Sequence, residues 1–155
     1  MFALNLKITQ MRIIETKAYT FDELSDDAKE NAKIELVSEY FWSDDAISSL
    51  YAFADELGIK INNYSIDWDN YASSNIDWEW IVDEHTNDID KEDLTGYIMD
   101  SPLIKTWNES KDIDDAIYSW LYNCHQDYIF QFTNEYMIEH CASNEYEFTK
   151  EGKLI

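Results

Sequence analysis

The chain has 155 residues and a formal net charge of −22, from 33 acidic and 11 basic residues. Its hydrophobic content of 45% and aromatic content of 15% supply one folded core and exclude a disordered protein. Three glycines, one proline and two cysteines exclude a linker-rich protein and a disulfide framework. Neither a secretion signal nor an apolar run of membrane-spanning length is visible, and the charge opposes binding to anionic membranes.

The acidic residues are unevenly distributed along the chain. Residues 1–17 are mildly basic, whereas residues 18–155 hold 32 acids and only 8 bases. Residues 61–90 contain eight acids without any Lys or Arg, and the same is true of residues 112–149. Self-repulsion at this density destabilises a fold, so we interpret the charge as serving a function.

The N-terminal part of the chain shows a loose period-two alternation. This alternation predicts strands over residues 2–8 and 11–19. Met11 is an alternative start, in which case residues 1–10 are an extension before the domain. The chain has no internal repeat and no linker, so a single domain over residues 1–155 is predicted.

Two helices with recognisable ends are predicted next. Thr20 and Glu23 have the spacing of a capping box and indicate a tight turn. Ser25 is placed to cap a first helix and Ser43 to cap a second. Each serine precedes two acidic residues, which the helix dipole favours in a first turn. Gly58 predicts the end of the second helix.

The most unusual stretch, residues 64–82, predicts two antiparallel strands joined by the loop Asp69–Asn75. Ile59 and Ile61 also alternate, but they would face the side opposite to Tyr64, Ile66 and Trp68. A bulge at Asn62–Asn63 would bring both sets to the same face. The predicted buried face carries Tyr64, Ile66, Trp68, Ile76, Trp78, Trp80 and Val82. The predicted open face carries five carboxylates and no Lys or Arg: Asp67, Asp69, Asp77, Glu79 and Asp83.

The C-terminal half is predicted to be mainly helical. A weak helical pattern covers residues 91–99, and Ser101 and Pro102 suit the N-cap and first position of a short helix. Asp112 opens the longest pattern, which either continues as one helix or breaks near Thr133.

Residues 144–155 predict a terminal hairpin that turns at Lys150-Glu151-Gly152. The predicted strands and helices together indicate an α+β fold. We expect a mostly antiparallel sheet of four or five strands with helices packed on one face.

Two stretches, YTFDELSDDAK at residues 19–29 and NEYEFTKEG at residues 144–152, resemble the ends of small acidic phage and prophage proteins. In that group, from low-GC bacteria, a short strand leads into the first motif and a hairpin ends the chain. Some members carry an antitoxin-like label. The resemblance implies a phage accessory protein that acts in the bacterial host cytoplasm, during infection or lysogeny. It supplies no catalytic residues.

A metal site is an alternative reading of the cysteines and histidines. Cys124-His125 and His140-Cys141 form a symmetric pattern that suits zinc. Neighbouring residues of a helix point about 100° apart, so all four side chains converge only if the helix is broken. Buried cysteines with surface histidines explain the same residues, and whether the four converge stays open.

The hairpin carboxylates are a second candidate for metal binding. Asp67, Asp69, Asp77 and Glu79 offer oxygen ligands for Mg²⁺ or Ca²⁺, but strand residues two apart diverge from a compact cage. No local pattern joins a nucleophile to a base and an orienting acid. We therefore predict no metal, no cofactor and no enzymatic activity.

The charge favours an interaction protein that does not bind nucleic acid directly. B-DNA carries one charge per about 1.7 Å, so 22 charges match about 11 base pairs. We expect a DNA or RNA mimic that inhibits a bacterial defence system by binding the basic surface of a CRISPR effector or restriction complex. An antitoxin-like partner that neutralises one basic protein without mimicry is the alternative, and homodimerisation stays open. The predicted contact residues are Asp67, Asp69, Asp77, Glu79, Asp83, Glu84, Asp112, Asp114, Asp115 and Asp127.

Overall fold

The computed structural model of the chain describes residue 15 and residues 17–155. Helices dominate this part of the chain, and two short 3-10 helices, Phe21–Glu23 and Tyr71–Ser73, precede longer elements. None of the described helices is long and apolar enough to cross a bilayer. The main elements are α1 (Asp26–Tyr40), α2 (Ser43–Leu57), β1 (Ile59–Ser65), β2 (Asn75–Trp80), α3 (Asp100–Ser110), α4 (Ile113–Gln131) and α5 (Asn134–Ser143).

The prediction of a four- or five-stranded sheet is wrong. The fold is α+β, but helix makes up 54% of it and the described residues form one two-stranded antiparallel sheet. The alternation near the C-terminus produces only single bridges, from Phe148 to Tyr19 and to Leu154. Helices therefore supply most of the core that a larger sheet was expected to supply. The strand predicted over residues 2–8 and most of that over residues 11–19 lie outside the described residues.

The hairpin forms, but its strands lie earlier in the chain than predicted. Gly58 ends α2 with a φ of +75°, as predicted, and β1 begins at the next residue. The register shifts between Ile61 and Asn63, which confirms the bulge and makes Asn62 the extra residue. Residues 66–74 form a long connecting loop, although the sequence pattern predicts a strand as far as Trp68.

Of the three serines predicted as N-caps, Ser25 is confirmed. Its side chain accepts a backbone N–H at the start of α1, and the side chains of Asp112 and Thr133 do the same for α4 and α5. Thr133 marks the break that divides the long C-terminal pattern into α4 and α5. Ser43 and Ser101 lie inside α2 and α3 rather than at their N-caps, so these two assignments are wrong.

The helix predicted over residues 91–99 does not form, because the carboxylate of Asp100 binds its backbone in another arrangement. Asp100 is only 2% exposed. Its carboxylate accepts the N–H groups of Leu94, Thr95 and Gly96 at 2.8–2.9 Å and the hydroxyl of Thr95 at 2.7 Å. Three consecutive amides that point at one carboxylate cannot serve helical hydrogen bonds.

Buried side chains form two clusters, which the aromatic ring of Phe41 joins. The first cluster lies between α2, the sheet, α3 and the first half of α4, and the second lies between α1, α5 and Phe148. The Phe41 ring lies 5.0 Å from Trp42, 5.4 Å from Trp68 and 5.1 Å from Tyr128. Because α4 borders both clusters, it fixes the position of the hairpin relative to the remaining helices.

Replacing Asp100 with Asn is expected to destabilise the fold by about 2–3 kcal/mol at pH 7, since three N–H donors lose their charged acceptor. Burial alone raises the pKa of Asp100, but hydrogen bonds from Thr95, Ser49 and Leu94 outweigh it, so the pKa lies below its usual 3.8. A lowered pKa means that the stabilisation is complete above the unfolded-state pKa and is lost as the pH falls through the folded-state pKa. Urea unfolding at pH 7 and pH 3 measures both effects.

The difference in the free energy of unfolding between the Asp100→Asn variant and the unmodified protein should therefore be smaller at pH 3 than at pH 7. An equal difference at both pH values would contradict the assigned role of the carboxylate. Asp90→Asn is the control, because Asp90 is exposed and we expect its replacement to leave stability nearly unchanged.

Replacing Gly152 with Ala is expected to destabilise the fold by more than about 3 kcal/mol, through both strain and overlap. Gly152 has a φ of +84°, and an added Cβ would overlap the carbonyl group of Ala28 in α1. Gly96 is a matched control, because its φ is +86° but an added Cβ meets nothing within 4 Å. Gly96→Ala should cost only about 1 kcal/mol. Chemical denaturation measures the free energy of unfolding of both variants. Similar decreases would show that backbone strain, and not the overlap with Ala28, causes the destabilisation.

Candidate functional site

The loop that joins β1 to β2 is organised by the carboxylate of Asp67. Its Oδ1 accepts the N–H groups of Asp69 and Asn70, both at 3.0 Å, and its Oδ2 accepts the hydroxyl of Ser73 at 3.4 Å. The chain has left the strand after Ser65, so the predicted placement of Asp67 and Asp69 on the strand face is wrong. Asp67 has an internal structural role, whereas the Asp69 side chain is exposed.

Hydrogen bonds of Trp78 and His125 hold the hairpin against α4. The indole N–H of Trp78 donates to Asp114 Oδ1 at 2.8 Å, and Nδ1 of His125 donates to the carbonyl oxygen of Trp68 at 2.8 Å. Asp114 and His125 are 11 residues apart, which is about 16 Å along a helix. The hairpin and its loop therefore follow α4 over about three turns.

The outer face of the hairpin is less uniformly acidic than predicted. Asp77 and Glu79 lie on it, paired across the sheet with Asn63 and Lys60. Lys60 precedes the cation-free stretch that starts at residue 61, and the strand register brings it opposite Glu79. The open face thus holds two strand carboxylates and one lysine. Asp83 and Glu84, which are also exposed, follow the end of β2.

The second predicted group, on α4, divides into structural and unpartnered carboxylates. Asp112 caps the helix, Asp114 binds Trp78, and Asp127 accepts the amide of Gln131 at 3.2 Å. None of the ion pairs among residues 17–155 involves a predicted contact residue. Nine of the ten predicted residues are exposed, and six of these nine carboxylates accept no hydrogen bond from the described residues: Asp69, Asp77, Glu79, Asp83, Glu84 and Asp115.

A cluster of tyrosines beside these carboxylates was not identified from the sequence. The Tyr71 ring lies 5.5 Å from Tyr118 and 5.6 Å from Tyr122, and the Tyr71 and Tyr118 hydroxyls are 3.2 Å apart. We call Tyr71, Tyr118 and Tyr122 the tyrosine patch. Tyr118 and Tyr122 are one turn apart on α4 and lie outside its buried stripe. Their helical spacing could therefore have predicted an exposed aromatic pair. Tyr71 joins them only through the loop conformation.

Two tyrosines close to the hairpin loop, Tyr71 and Tyr128, have raised pKa values. The pKa of Tyr71 is raised, first by the hydrogen bond with Tyr118 and then by burial and by the neighbouring phenol groups. Further along α4, burial raises the pKa of Tyr128, and the charges of Asp69 and Asp67 raise it further. The hydrogen bond, burial and neighbouring phenols account for the Tyr71 shift, whereas the Tyr128 shift also reflects the negative charges of Asp69 and Asp67 near that ring.

The four residues of the alternative zinc site are divided between the two core clusters. Cys124 is buried in the first cluster and Cys141 in the second. His125 binds the Trp68 carbonyl, and the His140 ring stacks on Tyr136 at 5.2 Å. The described residues contain no group of three or more His, Cys, Asp or Glu side chains that could hold a metal ion.

Both cysteines are expected to resist alkylation in the folded protein. Burial raises the pKa of Cys141 to about 11, and burial followed by the charge of Asp127 raises the pKa of Cys124 well above its usual range. Since only the thiolate reacts, labelling by iodoacetamide at pH 8 should be more than about 100-fold slower than in urea-unfolded protein. Mass spectrometry of samples taken over time measures the labelling rate. Equal rates in the folded and unfolded protein would contradict the burial of these thiols.

Comparison with known proteins gives no relative: a scan of protein-family models, a search of curated proteins and a search of solved structures each find no match. The resemblance of the two terminal motifs to phage proteins therefore stays a prediction. The functional argument depends on the surface of the chain itself.

Proposed function

We propose that the protein is a non-enzymatic inhibitor that occupies the basic nucleic-acid-binding surface of a bacterial defence protein, such as a CRISPR effector or restriction complex. The observation that carries this proposal is a net charge of −22 combined with six exposed carboxylates, on the hairpin segment and α4, that have no internal partner. Unpartnered charges at this density repel one another, and a cationic protein surface relieves that repulsion.

The spacing of the carboxylates supports mimicry of a nucleic acid. The hairpin follows α4 for about 16 Å, and B-DNA of that length carries about ten phosphate charges. Seven carboxylates belong to this zone: Asp67, Asp69, Asp77, Glu79, Asp112, Asp114 and Asp115. Asp77 and Glu79 lie on the outer face of the hairpin, and the other five lie on the loop and at the start of α4. Their number approaches that of the phosphates, and we propose that the two groups together replace phosphates in the groove of the partner.

The proposed mechanism is competition rather than catalysis. Lysine and arginine side chains of the partner, which otherwise neutralise phosphates, would pair with the exposed carboxylates. Long-range attraction would make association fast and sensitive to salt. Hydrogen bonds from Trp78 to Asp114 and from the loop to Asp67 hold part of the face in place before binding. A face that is already ordered loses little conformational entropy when a partner binds.

The first experiment is capture of a partner from the lysate of a low-GC bacterial host, with the purified full chain immobilised and bound proteins identified by mass spectrometry. The captured protein should be a nucleic-acid-binding protein, and added double-stranded DNA should displace it from the immobilised chain. A basic partner that DNA does not displace would favour the antitoxin-like alternative and contradict mimicry.

Replacing Asp69, Asp77 and Asp83 with Lys is expected to weaken partner binding by at least about tenfold, mainly through slower association. Asp67 is left unchanged because it holds the loop, and Glu79 because Lys60 lies opposite. The reversed side chains are exposed, so we expect the fold to persist. Surface plasmon resonance against the captured partner, from 50 to 500 mM salt, measures both the rate and its salt dependence.

The matched control replaces Asp55, Glu92 and Glu109, which are also exposed, with Lys. It changes the net charge by the same amount but lies outside the hairpin and α4. Equal weakening by the two triple variants would show that total charge acts without a defined site. Binding that does not change between 50 and 500 mM salt would eliminate electrostatic mimicry, because screening must weaken exposed charge pairs.

A further inference from the structure

The tyrosine patch is an exposed aromatic surface inside the most acidic part of the molecule. Tyr118 is 55% exposed and Tyr122 is 44% exposed, although both belong to the helix that borders the two cores. Neither residues 61–90 nor residues 112–149 contain a Lys or Arg that could cover these rings from the neighbouring segments. Large exposed rings one helical turn from Asp114 and Asp115 match a cationic partner.

Ring contacts and loop hydrogen bonds hold the patch in place without a partner. The Tyr71 ring contacts Tyr118, Tyr122 and His125, and the hydrogen bonds to Asp67 fix the loop that carries it. The planes of Tyr71 and Tyr118 are inclined by 62°, so each phenol presents its face in a different direction. Rigid tyrosines supply large contact areas at low entropic cost, which is why such residues often dominate binding energy.

The chemistry of the patch distinguishes arginine from lysine. A guanidinium group is planar, weakly hydrated and able to stack on an aromatic ring while it donates two hydrogen bonds to a carboxylate. An ammonium group is compact and strongly hydrated, so it gains less from an aromatic neighbour. Asp114 lies one helical turn before Tyr118, and Asp69 and Asp115 are also exposed close to the patch in sequence. Ring faces and carboxylates are therefore available together.

We infer that the tyrosine patch is a docking site for arginine side chains of a protein partner. The inference rests on the proposed function and adds to it the kind of cation that the surface selects. A second copy of this chain is disfavoured as the occupant, because two surfaces of the same strong negative charge would have to meet. The carboxylates provide attraction for any cation, whereas the rings provide preference for arginine.

The test uses the full chain and two fluorescent peptides of equal charge, octa-arginine and octa-lysine, in anisotropy titrations at 150 mM salt. Octa-arginine is expected to bind more than about fivefold more tightly, from stacking on two rings and from paired hydrogen bonds to carboxylates. The double variant Tyr118→Leu/Tyr122→Leu should bind octa-arginine about fivefold more weakly. Its affinity for octa-lysine should hardly change, because the substitutions leave the charge of the protein unchanged. Part of the preference should remain, since carboxylates themselves bind guanidinium groups in pairs.

Two control variants separate ring chemistry from disruption of the surface. Tyr118→Phe/Tyr122→Phe keeps both ring faces and should retain the preference for octa-arginine. Tyr97→Leu removes a tyrosine of matching exposure, 45%, from the turn before α3 and should leave both affinities unchanged. Thermal unfolding by circular dichroism confirms that each variant is folded before it is titrated.

The outcomes distinguish this inference from the proposed function. Equal affinities for the two peptides, both lowered by Asp69→Lys/Asp77→Lys/Asp83→Lys, would overturn the arginine preference and leave the acidic docking surface intact. Equal losses for both peptides in the leucine double variant would also overturn it. Failure of both peptides to bind would contradict the docking surface as well. A dimer in sedimentation that dissociates in the leucine variant would assign the patch to a second copy instead.

Discussion

The acidic surface depends on the packing of the hairpin against α4. Trp68 is the central contact, because its ring lies between those of Phe41 and Trp120, at 5.4 and 6.0 Å, and its carbonyl accepts a hydrogen bond from His125. Trp120 is fully buried and Phe41 contacts both core clusters, so this contact connects the sheet to the whole interior. A two-stranded hairpin is marginal by itself, and its packing against the helices stabilises it.

A chain with this much negative charge needs internal uses for some of it. Asp67, Asp100 and Asp112 accept backbone N–H groups, and such bonds to a charged acceptor are stronger than neutral ones. Asp114 accepts the indole N–H of Trp78 in the same way. These carboxylates stabilise local structure, whereas the unpartnered ones oppose folding by mutual repulsion. The division explains how one surface can be both ordered and strongly acidic.

Aromatic residues have two different roles that composition alone does not separate. Trp107 and Trp120 are at most 1% exposed and fill the core. Tyr118 and Tyr122 lie on the opposite side of the helix that carries Trp120 and stay largely exposed. An exposed tyrosine keeps its hydroxyl in water and its ring available, which suits a binding surface better than a packing surface.

Features that depend on near neighbours can be predicted from the sequence. Ser25 caps α1 because a short polar side chain reaches an amide three residues away, and the change of hydrophobic phase after Ile61 predicts the bulge at Asn62. The number of strands and the position of Tyr71 depend on tertiary contacts, because Tyr71 meets α4 through residues about 50 positions away. Asp67 and Asp100 bind amides two to six residues away, but helix and strand periodicity does not reveal that a carboxylate will take these amides. Periodicity records which face of an element is apolar, but not what covers that face.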